Sequence, residues 1–192
     1  MARIVVTEFV SLDGCIDEPR WTFQFDRGPE GDKFKIDELF GCDALLLGRV
    51  TYQGFAQAWP NMGGDEFGQR MNTIHKYVVS GTLADSDATW GDTTIIRGDV
   101  PAEVATLKAR PGGVLLVEGS CQLVRDLANH GLVDEYRLMI FPIILGGKKR
   151  MFPDALSAPA TLTLTSSKVL DSGILLLTYE PADKAEAAAD GR

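Results

Sequence analysis

Residues 44–52 read ALLLGRVTY, an apolar run that ends in a glycine and an arginine. A short, continuous apolar run is typical of a strand that is covered on both faces of an α/β sheet. We predict a helix over residues 51–58, capped by Thr51. Gly48 would let a ligand approach the backbone, and Arg49 would offer a cation that suits phosphate. The same residues also fit an ordinary strand-to-helix turn with a solvated arginine.

A second stretch, residues 114–120, repeats this order as VLLVEGS. Ser120 is a good capping residue for a helix that we predict over residues 121–130, and Gly131 suits the position after its end. Gly119 and the amide groups around Ser120 would form a second anion site at the same edge of the sheet. Two such sites suit a dinucleotide, although the G-x-G-x-x-G pattern of Rossmann folds is missing from the sequence.

The rest of the chain predicts a mixed α/β sheet. Further strands are predicted at 4–10, 77–79, 94–96, 133–145, 161–165 and 174–179, and further helices at 31–40, 65–74 and 101–109. Strands and helices alternate through the first two thirds, which favours parallel pairing, whereas the last strands follow one another across a turn at residues 171–173. We interpret residues 1–180 as one domain and residues 181–192 as a loose, alanine-rich tail.

The first predicted strand runs into a polar turn, Ser11-Leu12-Asp13-Gly14. Asp13 could orient a polar substrate or take part in proton transfer, and Gly14 could let a ligand approach the backbone. Asp-Gly is equally an ordinary turn. The loop that follows carries Trp21 and two phenylalanines, and would serve either as a lid over a planar ring or as a loop anchored by aromatic side chains.

Composition narrows the class of protein. The 192 residues carry a formal net charge of −8, and no cluster of basic residues suits a nucleic acid. No apolar run approaches the roughly 20 residues that span a bilayer, and the first residues do not resemble a signal peptide. Three cysteines without C-x-x-C spacing and two isolated histidines favour a cytoplasmic protein with reduced thiols and no metal site. Lys148-Lys149-Arg150 fits a solvated hairpin tip.

Five motifs occur in order: SLDG at 11–14, LGRVTY at 47–52, KYVVSGT at 76–82, LLVEGS at 115–120 and LVDEYRLMIFPIILGGKKRMF at 132–152. Together they resemble the dihydrofolate-reductase-like superfamily. The closer resemblance is to the riboflavin-biosynthesis (RibD) C-terminal reductase domain and its stand-alone relatives. It covers residues 3–179, which is nearly the whole chain.

The resemblance implies a three-layer α/β/α fold with a mixed, mostly parallel sheet of about eight strands and an antiparallel C-terminal hairpin. It also implies NADPH as cofactor, and a homodimer formed through the long strand that contains Pro142. The implied contacts with NADPH come from Gly14, Gly48, Arg49, Thr51, Ser80, Gly119 and Ser120, with Ser80 and Arg49 at the adenosine 2′-phosphate. The implied substrate pocket contains Asp13, Trp21 and Glu118.

The sequence departs from the family pattern at the catalytic acid. Dihydrofolate reductases place an acidic residue early in the helix after the first loop, and here Asp32 stands near that place among residues unlike the family's. Asp13 and Asp32 are therefore the candidate proton-transfer residues. The H-x-E and P-C-x-x-C motifs of a zinc deaminase are absent.

Our interpretation is an NADPH-dependent reductase of a ribosylaminopyrimidine-type substrate, related to riboflavin biosynthesis. Reduction of dihydrofolate or another pterin is one alternative. A non-catalytic nucleotide-binding or dimerisation module is an alternative of another class.

Overall fold

The computed structural model describes residues 1–152 and 156–182. In this part of the chain the strands are β1 (Arg3–Ser11), β2 (Ala44–Gly48), β3 (His75–Val79), β4 (Thr93–Ile96), β5 (Val114–Glu118), β6 (Glu135–Phe141), β7 (Leu162–Val169) and β8 (Leu175–Pro181). The α-helices are α1 (Gly28–Phe40), α2 (Arg49–Ala58), α3 (Glu66–Thr73), α4 (Val100–Lys108) and α5 (Cys121–Asn129). Every predicted strand and helix is present, with its ends shifted by a few residues.

The strands form a single eight-stranded sheet in the order β4-β3-β2-β5-β1-β6-β8-β7. The first six strands of the sequence pair in parallel, whereas β8 pairs antiparallel with both β6 and β7. The expected mixed, mostly parallel sheet with an antiparallel C-terminal hairpin is thereby confirmed.

Helices cover both faces of the sheet, which makes three layers. Along β2, Leu46 packs on the face covered by α4 and α5, whereas Leu45 and Leu47 pack on the face covered by α1, α2 and α3. All three leucines are fully buried. This two-sided burial explains why β2 is continuously apolar instead of alternating between polar and apolar residues.

The chain after β6 folds back over the end of β1. The sequence pattern predicts extended structure to residue 145, but β6 ends at Phe141 because Pro142 has no N–H to give to a neighbouring strand. Ile143 N–H donates to the Phe141 carbonyl at 2.8 Å in a tight turn, and Leu12 N–H donates to the Ile143 carbonyl at 2.8 Å. These bonds bring the segment after β6 to the carboxyl edge of the sheet.

The sheet ends in an exposed edge strand, β7, in which all 8 residues are exposed. The strand before Pro142, which the resemblance associates with dimerisation, lies inside the sheet between β1 and β8. An exposed edge with apolar side chains such as Leu164 is prone to pair with another chain, and the predicted homodimer stays a prediction. None of the helices in the described ranges is long and apolar enough to cross a membrane. Of the predicted tail, residues 183–192 lie outside the described residues.

Candidate functional site

A cavity of about 700 Å³ opens at the carboxyl ends of β2, β3 and β5, between the first turns of α2 and α5. The crevice outside the carboxyl ends of parallel strands is where α/β sheets commonly bind ligands. The lining comes from residues 48–51, 79–82 and 120–123, with Arg125, Asp126 and Lys149. Of the predicted cofactor residues, Gly48, Arg49, Thr51, Ser80 and Ser120 line this cavity, and Gly119 adjoins it.

The Ser120 hydroxyl links the first turns of α2 and α5. It accepts a hydrogen bond from Gly48 N–H at 2.9 Å and donates one to Thr51 Oγ1 at 2.9 Å. Ser120 does stand at the cap position of α5, but its side chain makes no capping bond there. Thr51 lies inside the first turn of α2, since that helix begins at Arg49. The prediction that Thr51 and Ser120 cap α2 and α5 through their side chains is therefore corrected. Their hydroxyl groups hydrogen-bond to each other instead and join the two helices.

Gly119 occupies a position that requires glycine. Its φ is +62°, and a β-carbon there would lie 3.2 Å from Thr51 Oγ1. Ser120 follows with φ of 60°, a left-handed conformation that is uncommon for a residue with a side chain. The chain thus turns sharply from β5 into α5. Neither α5, with Ser120 at its cap position, nor α2, with Gly48 there, has a side-chain cap, and the first-turn residues of both helices line the cavity.

The cavity is positively charged although the chain is acidic overall. Among the described lining residues, Arg49, Arg125 and Lys149 are cationic and Asp126 is anionic. The Arg49 guanidinium donates to Gln53 Oε1 at 3.0 Å, which holds it along the outer face of α2. Cations together with two helix N-termini form a site for an anion that carries more than one charge.

Lys149 reaches the cavity because hydrogen bonds hold its segment against the turn that follows β1. Ile16 N–H donates to the Lys149 carbonyl at 3.0 Å, and the Arg150 guanidinium donates to the Asp13 carbonyl. The prediction of a solvated hairpin tip at residues 148–150 is therefore corrected for Lys149, which lines the cavity, and for Arg150, which bonds to the β1 turn, whereas Lys148 is exposed as predicted. No local pattern in the sequence could show this, because the partners lie more than a hundred residues apart.

Ser80 organises the turn after β3. Its hydroxyl oxygen accepts from Thr82 N–H at 3.1 Å and from Leu83 N–H at 2.9 Å. Because both acceptor positions are used, the hydroxyl hydrogen remains to be donated outward. Ser80 and Thr82 both line the cavity, so this turn supplies hydroxyl donors close to Arg49.

Asp13 is a hydrogen-bond acceptor in the turn after β1. Its carboxylate accepts from the Ser11 hydroxyl at 2.6 Å, from Leu145 N–H at 3.1 Å and from Gly146 N–H at 2.9 Å. The Ser11 hydroxyl, with the two backbone N–H groups, holds the pKa of Asp13 far below its ordinary value. An ionised carboxylate with these partners is a poor direct proton donor at neutral pH, whereas its predicted role in orienting a polar substrate stays a prediction. Gly14, with φ of +78°, closes the same turn and is not among the cavity-lining residues.

We expect Asp13→Asn to lower the Tm more at about pH 7 than at about pH 3. A carboxyl group whose pKa is lowered by folding stabilises the fold above its unfolded pKa of about 4, and this stabilisation is lost as the pH falls. Thermal unfolding followed by circular dichroism at both pH values measures the difference. Asp87→Asn, at an exposed carboxylate, is the control, and an equal loss of Tm at both pH values for Asp13→Asn would contradict the expectation.

A buried ion cluster lies beside the cavity, at the end of β5. The Lys35 ammonium is 2.6 Å from Glu38 Oε2 and 3.5 Å from Glu118 Oε1, and the Thr7 hydroxyl donates to Glu38 Oε2 at 3.1 Å. Burial lowers the pKa of Lys35, but Glu38 and Glu118 outweigh burial and raise that pKa above its ordinary value. Glu118, predicted to face substrate, is thus held by a cation at the edge of the site. Sequence reasoning missed Lys35 and Glu38, because charged residues on a surface helix usually face water.

Asp32 and Trp21, like Asp13, Gly14 and Glu118, are not among the residues that line the cavity. Asp32 is exposed on α1, with its carboxylate 3.1 Å from the Arg27 guanidinium, and it is not among the lining residues. The indole N–H of Trp21 donates to the Asp17 carbonyl at 2.7 Å, and its ring packs edge-on against Phe141 with centroids 5.2 Å apart. These contacts agree with a loop anchored by aromatic side chains.

The family model of the RibD C-terminal domain matches residues 2–176. The chain belongs to the RibD C-terminal domain family. Protein YyaP of Bacillus subtilis (strain 168) is 30% identical to this RibD C-terminal domain over 185 residues, which cover 92% of this chain and 94% of YyaP. Protein YwjB of the same strain is 28% identical over 171 residues, which cover 87% of this chain and 91% of YwjB. The family resemblance drawn from the motifs is confirmed.

Solved structures share the fold of this RibD C-terminal domain. A Shewanella sp. PV-4 protein named for riboflavin biosynthesis superposes with a TM-score of 0.76 at 21% identity, covering 94% of this chain and 99% of that one. The Thermotoga maritima diaminohydroxyphosphoribosylaminopyrimidine deaminase/5-amino-6-(5-phosphoribosylamino)uracil reductase gives 0.64 at 17% identity, covering 94% of this chain and 57% of that one. Dihydrofolate reductase from Enterococcus faecalis gives 0.59 at 16% identity, covering 94% and 97%. The fold is therefore dihydrofolate-reductase-like.

Proposed function

We propose that this RibD C-terminal domain is an NADPH-dependent reductase of a ribosylaminopyrimidine phosphate. The observation that carries the proposal is the pair of helix N-termini, both without side-chain caps, that open onto one cationic cavity in a chain of net charge −8. Family membership supports the reaction class. The Thermotoga maritima relative in fold is named as a 5-amino-6-(5-phosphoribosylamino)uracil reductase, which supports the substrate class.

The residues of the cavity fit a dinucleotide. Its volume lies within the roughly 300–1,000 Å³ that small-molecule and cofactor sites occupy. The first-turn amides of α2 and α5 would bind the two linked phosphates, because each helix N-terminus attracts negative charge. Arg49 and Lys149 would add charge-assisted contacts, and Gly119 lets the chain turn sharply enough to bring the two helix ends together.

The turn after β3 supports NADPH over NADH. Ser80 has a hydroxyl hydrogen to donate, and Thr82 adds a second hydroxyl. Arg49 lies beside this turn, because Gly48 before it pairs with Val79, the residue before Ser80. A phosphate on the adenosine ribose would bind these donors, whereas the free hydroxyl of NADH would leave the guanidinium without an anionic partner.

The edge of the sheet provides a place for the nicotinamide ring of the cofactor. β5 ends at Glu118, opposite Thr7, whereas β1 continues beside β6 to Ser11. The backbone of β1 beyond Thr7 therefore has no strand on its β5 side, where Phe9 N–H donates to the Glu8 carboxyl group and Ser11 N–H donates to the Cys15 carbonyl. A planar amide would bind there through the Phe9 carbonyl. When bound, the reduced nicotinamide would supply the hydride. The chain would orient the substrate beside Glu118 and exclude water.

Calorimetric titration with NADPH and NADH tests the cofactor. We expect micromolar-range binding of NADPH, about tenfold or more tighter than that of NADH, from one charge-assisted phosphate contact. Binding of neither nucleotide overturns the proposal.

Oxidation of NADPH in the presence of candidate substrates tests the reaction. Turnover with 5-amino-6-(5-phosphoribosylamino)uracil is the expected result. Turnover with dihydrofolate alone would replace the proposed substrate with a pterin. Tight NADPH binding without turnover on either compound would favour the non-catalytic nucleotide-binding module.

A further inference from the structure

Reduction of a carbonyl or an imine needs a proton as well as a hydride, and neither sequence-predicted carboxylate is placed to supply it. Asp13 is an ionised acceptor, and Asp32 is paired with Arg27 at the surface. We propose that Glu8 is the proton donor of this site. The inference rests on the proposed reductase function, and it assigns the acid that the family pattern in the sequence leaves open.

Glu8 is the first residue of β1 beyond the end of β5. The pairing of β1 with β5 covers Arg3 to Thr7, and Thr7 stands opposite Glu118. Arg3 N–H donates to the Gly113 carbonyl next to β5, so the odd-numbered residues of β1 direct their backbone groups to that side. Phe9 is the next such residue, and its N–H donates to Glu8 Oε1 at 3.2 Å. The Glu8 carboxyl group therefore occupies the gap that β5 leaves open.

Charged groups from three elements face this carboxyl group. Glu118 at the end of β5 repels its negative form, whereas Lys35 from α1 and Lys149 from the segment after β6 attract it. Burial raises the pKa of the Cys121 thiol at the start of α5, the Lys149 charge lowers it, and the Glu8 charge raises it, so both charged groups lie near this thiol.

The strand register places Glu8 directly after Thr7, the partner of Glu118, and the chain continues from Glu118 through Gly119 to Ser120 and Cys121, which line the cavity. Glu8 itself is not among the lining residues, so we place the reacting part of the substrate between the cavity and the end of β5.

The surroundings of Glu8 favour its neutral form. Desolvation is the largest cause and the Glu118 charge is the second, and together they outweigh the Phe9 N–H, Lys35 and Lys149, so that the pKa of Glu8 is raised to about 8. The carboxylic acid thus remains mostly protonated at neutral pH. A general acid works best when its pKa lies near the operating pH.

The proposed step balances in atoms and electrons. The substrate carbon of a C=O or C=N bond accepts a hydride, and its two-electron reduction is matched by the oxidation of NADPH to NADP⁺. The O–H bond of the Glu8 carboxyl group breaks, and its proton passes to the substrate oxygen or nitrogen. Glu8 is left as a carboxylate, held by Lys35 and Lys149, and regains a proton from solvent.

Proton release on nucleotide binding tests the assignment without a substrate. The oxidised nicotinamide carries a positive charge that the reduced ring lacks, so NADP⁺ favours ionised Glu8 and NADPH favours neutral Glu8. We expect NADP⁺ binding at about pH 7.5 to release roughly half a proton more than NADPH binding, and Glu8→Gln to abolish this difference. Calorimetry in buffers of different ionisation enthalpy measures it. The phosphates of the two nucleotides are identical, so their own protonation cancels.

A second variant covers the case in which Glu8→Gln does not fold. Glu118→Gln removes the like charge and lowers the pKa of Glu8, so the proton difference should shrink near neutral pH. With an identified substrate, Glu8→Gln should lower kcat by about 10²–10⁴-fold and leave the Kd of NADPH nearly unchanged. Glu8→Asp should restore part of the lost rate.

The outcomes separate the two proposals. Absence of NADPH binding by the wild-type chain overturns the reductase function itself. NADPH binding with equal proton release by the wild type and Glu8→Gln, or by the wild type and Glu118→Gln, overturns the role of Glu8 and leaves the function standing.

Discussion

Replacing Lys35 with methionine is expected to lower the free energy of unfolding by about 3–5 kcal/mol. The side chains of Lys35 and Glu38 are 8% and 1% exposed, so the substitution leaves a buried carboxylate without its cation. The remaining partner of Glu38 is the Thr7 hydroxyl, since Glu38 Oε1 has no hydrogen-bond partner among the described residues. Denaturant unfolding at neutral pH measures the loss.

The neighbouring pair on α1 is the matched control. Lys33 and Asp37 are also an ion pair, but their side chains are 72% and 60% exposed. Lys33→Met should therefore cost only about 0.3–0.5 kcal/mol. Adding Glu38→Leu to Lys35→Met should recover most of the stability, because an apolar pair of similar volume replaces a buried ion pair without large cost. A loss for Lys35→Met no larger than that for Lys33→Met would show that the cluster is not buried as described.

The double variant Arg49→Ala/Lys149→Ala is expected to weaken NADPH binding by about a hundredfold. Each cation would form a charge-assisted hydrogen bond with a phosphate, and removing one such bond should raise the Kd by about tenfold or more. Arg49 lies at the start of α2 and Lys149 lies in the segment after β6, and the described contacts give the two residues no shared partner, so their effects should be nearly additive. Calorimetric titration of the double variant and of both single variants measures the change in Kd.

Salt dependence and a charge-matched control make this expectation specific. Arg20→Ala/Lys33→Ala removes the same charge from exposed positions that are not among the lining residues, so it should leave the Kd nearly unchanged. The Kd of the Arg49→Ala/Lys149→Ala variant should also rise less steeply with salt, because fewer ionic contacts remain to be screened. Equal weakening by both double variants would assign the effect to net charge and argue against direct phosphate contacts.

Local patterns in the amino-acid sequence predict the strands, the helices, a mixed α/β sheet and two candidate anion sites at one edge of it, whereas the three-layer dihydrofolate-reductase-like fold was predicted from the resemblance of the five ordered motifs. Continuous apolar runs such as the one at residues 44–47 mark strands buried on both faces, and Gly48 and Gly119 mark where strands end and helices begin. These signals are local, since periodicity and turn chemistry depend on neighbouring residues. In a parallel sheet the carboxyl ends of the strands meet at one edge, so two local motifs were enough to predict one shared site.

The three-dimensional arrangement was needed to establish which charged groups belong to that site and what each one does. Lys149 contributes because its segment is bound to the β1 turn, and Asp13 becomes an ionised acceptor because Leu145 and Gly146 donate to it. Glu8 becomes a candidate acid because β5 stops one residue short of it and Glu118 stands beside it. Each of these properties depends on strand register and on partners distant in sequence. A side chain's charge state and burial follow from such neighbours, which no local pattern records.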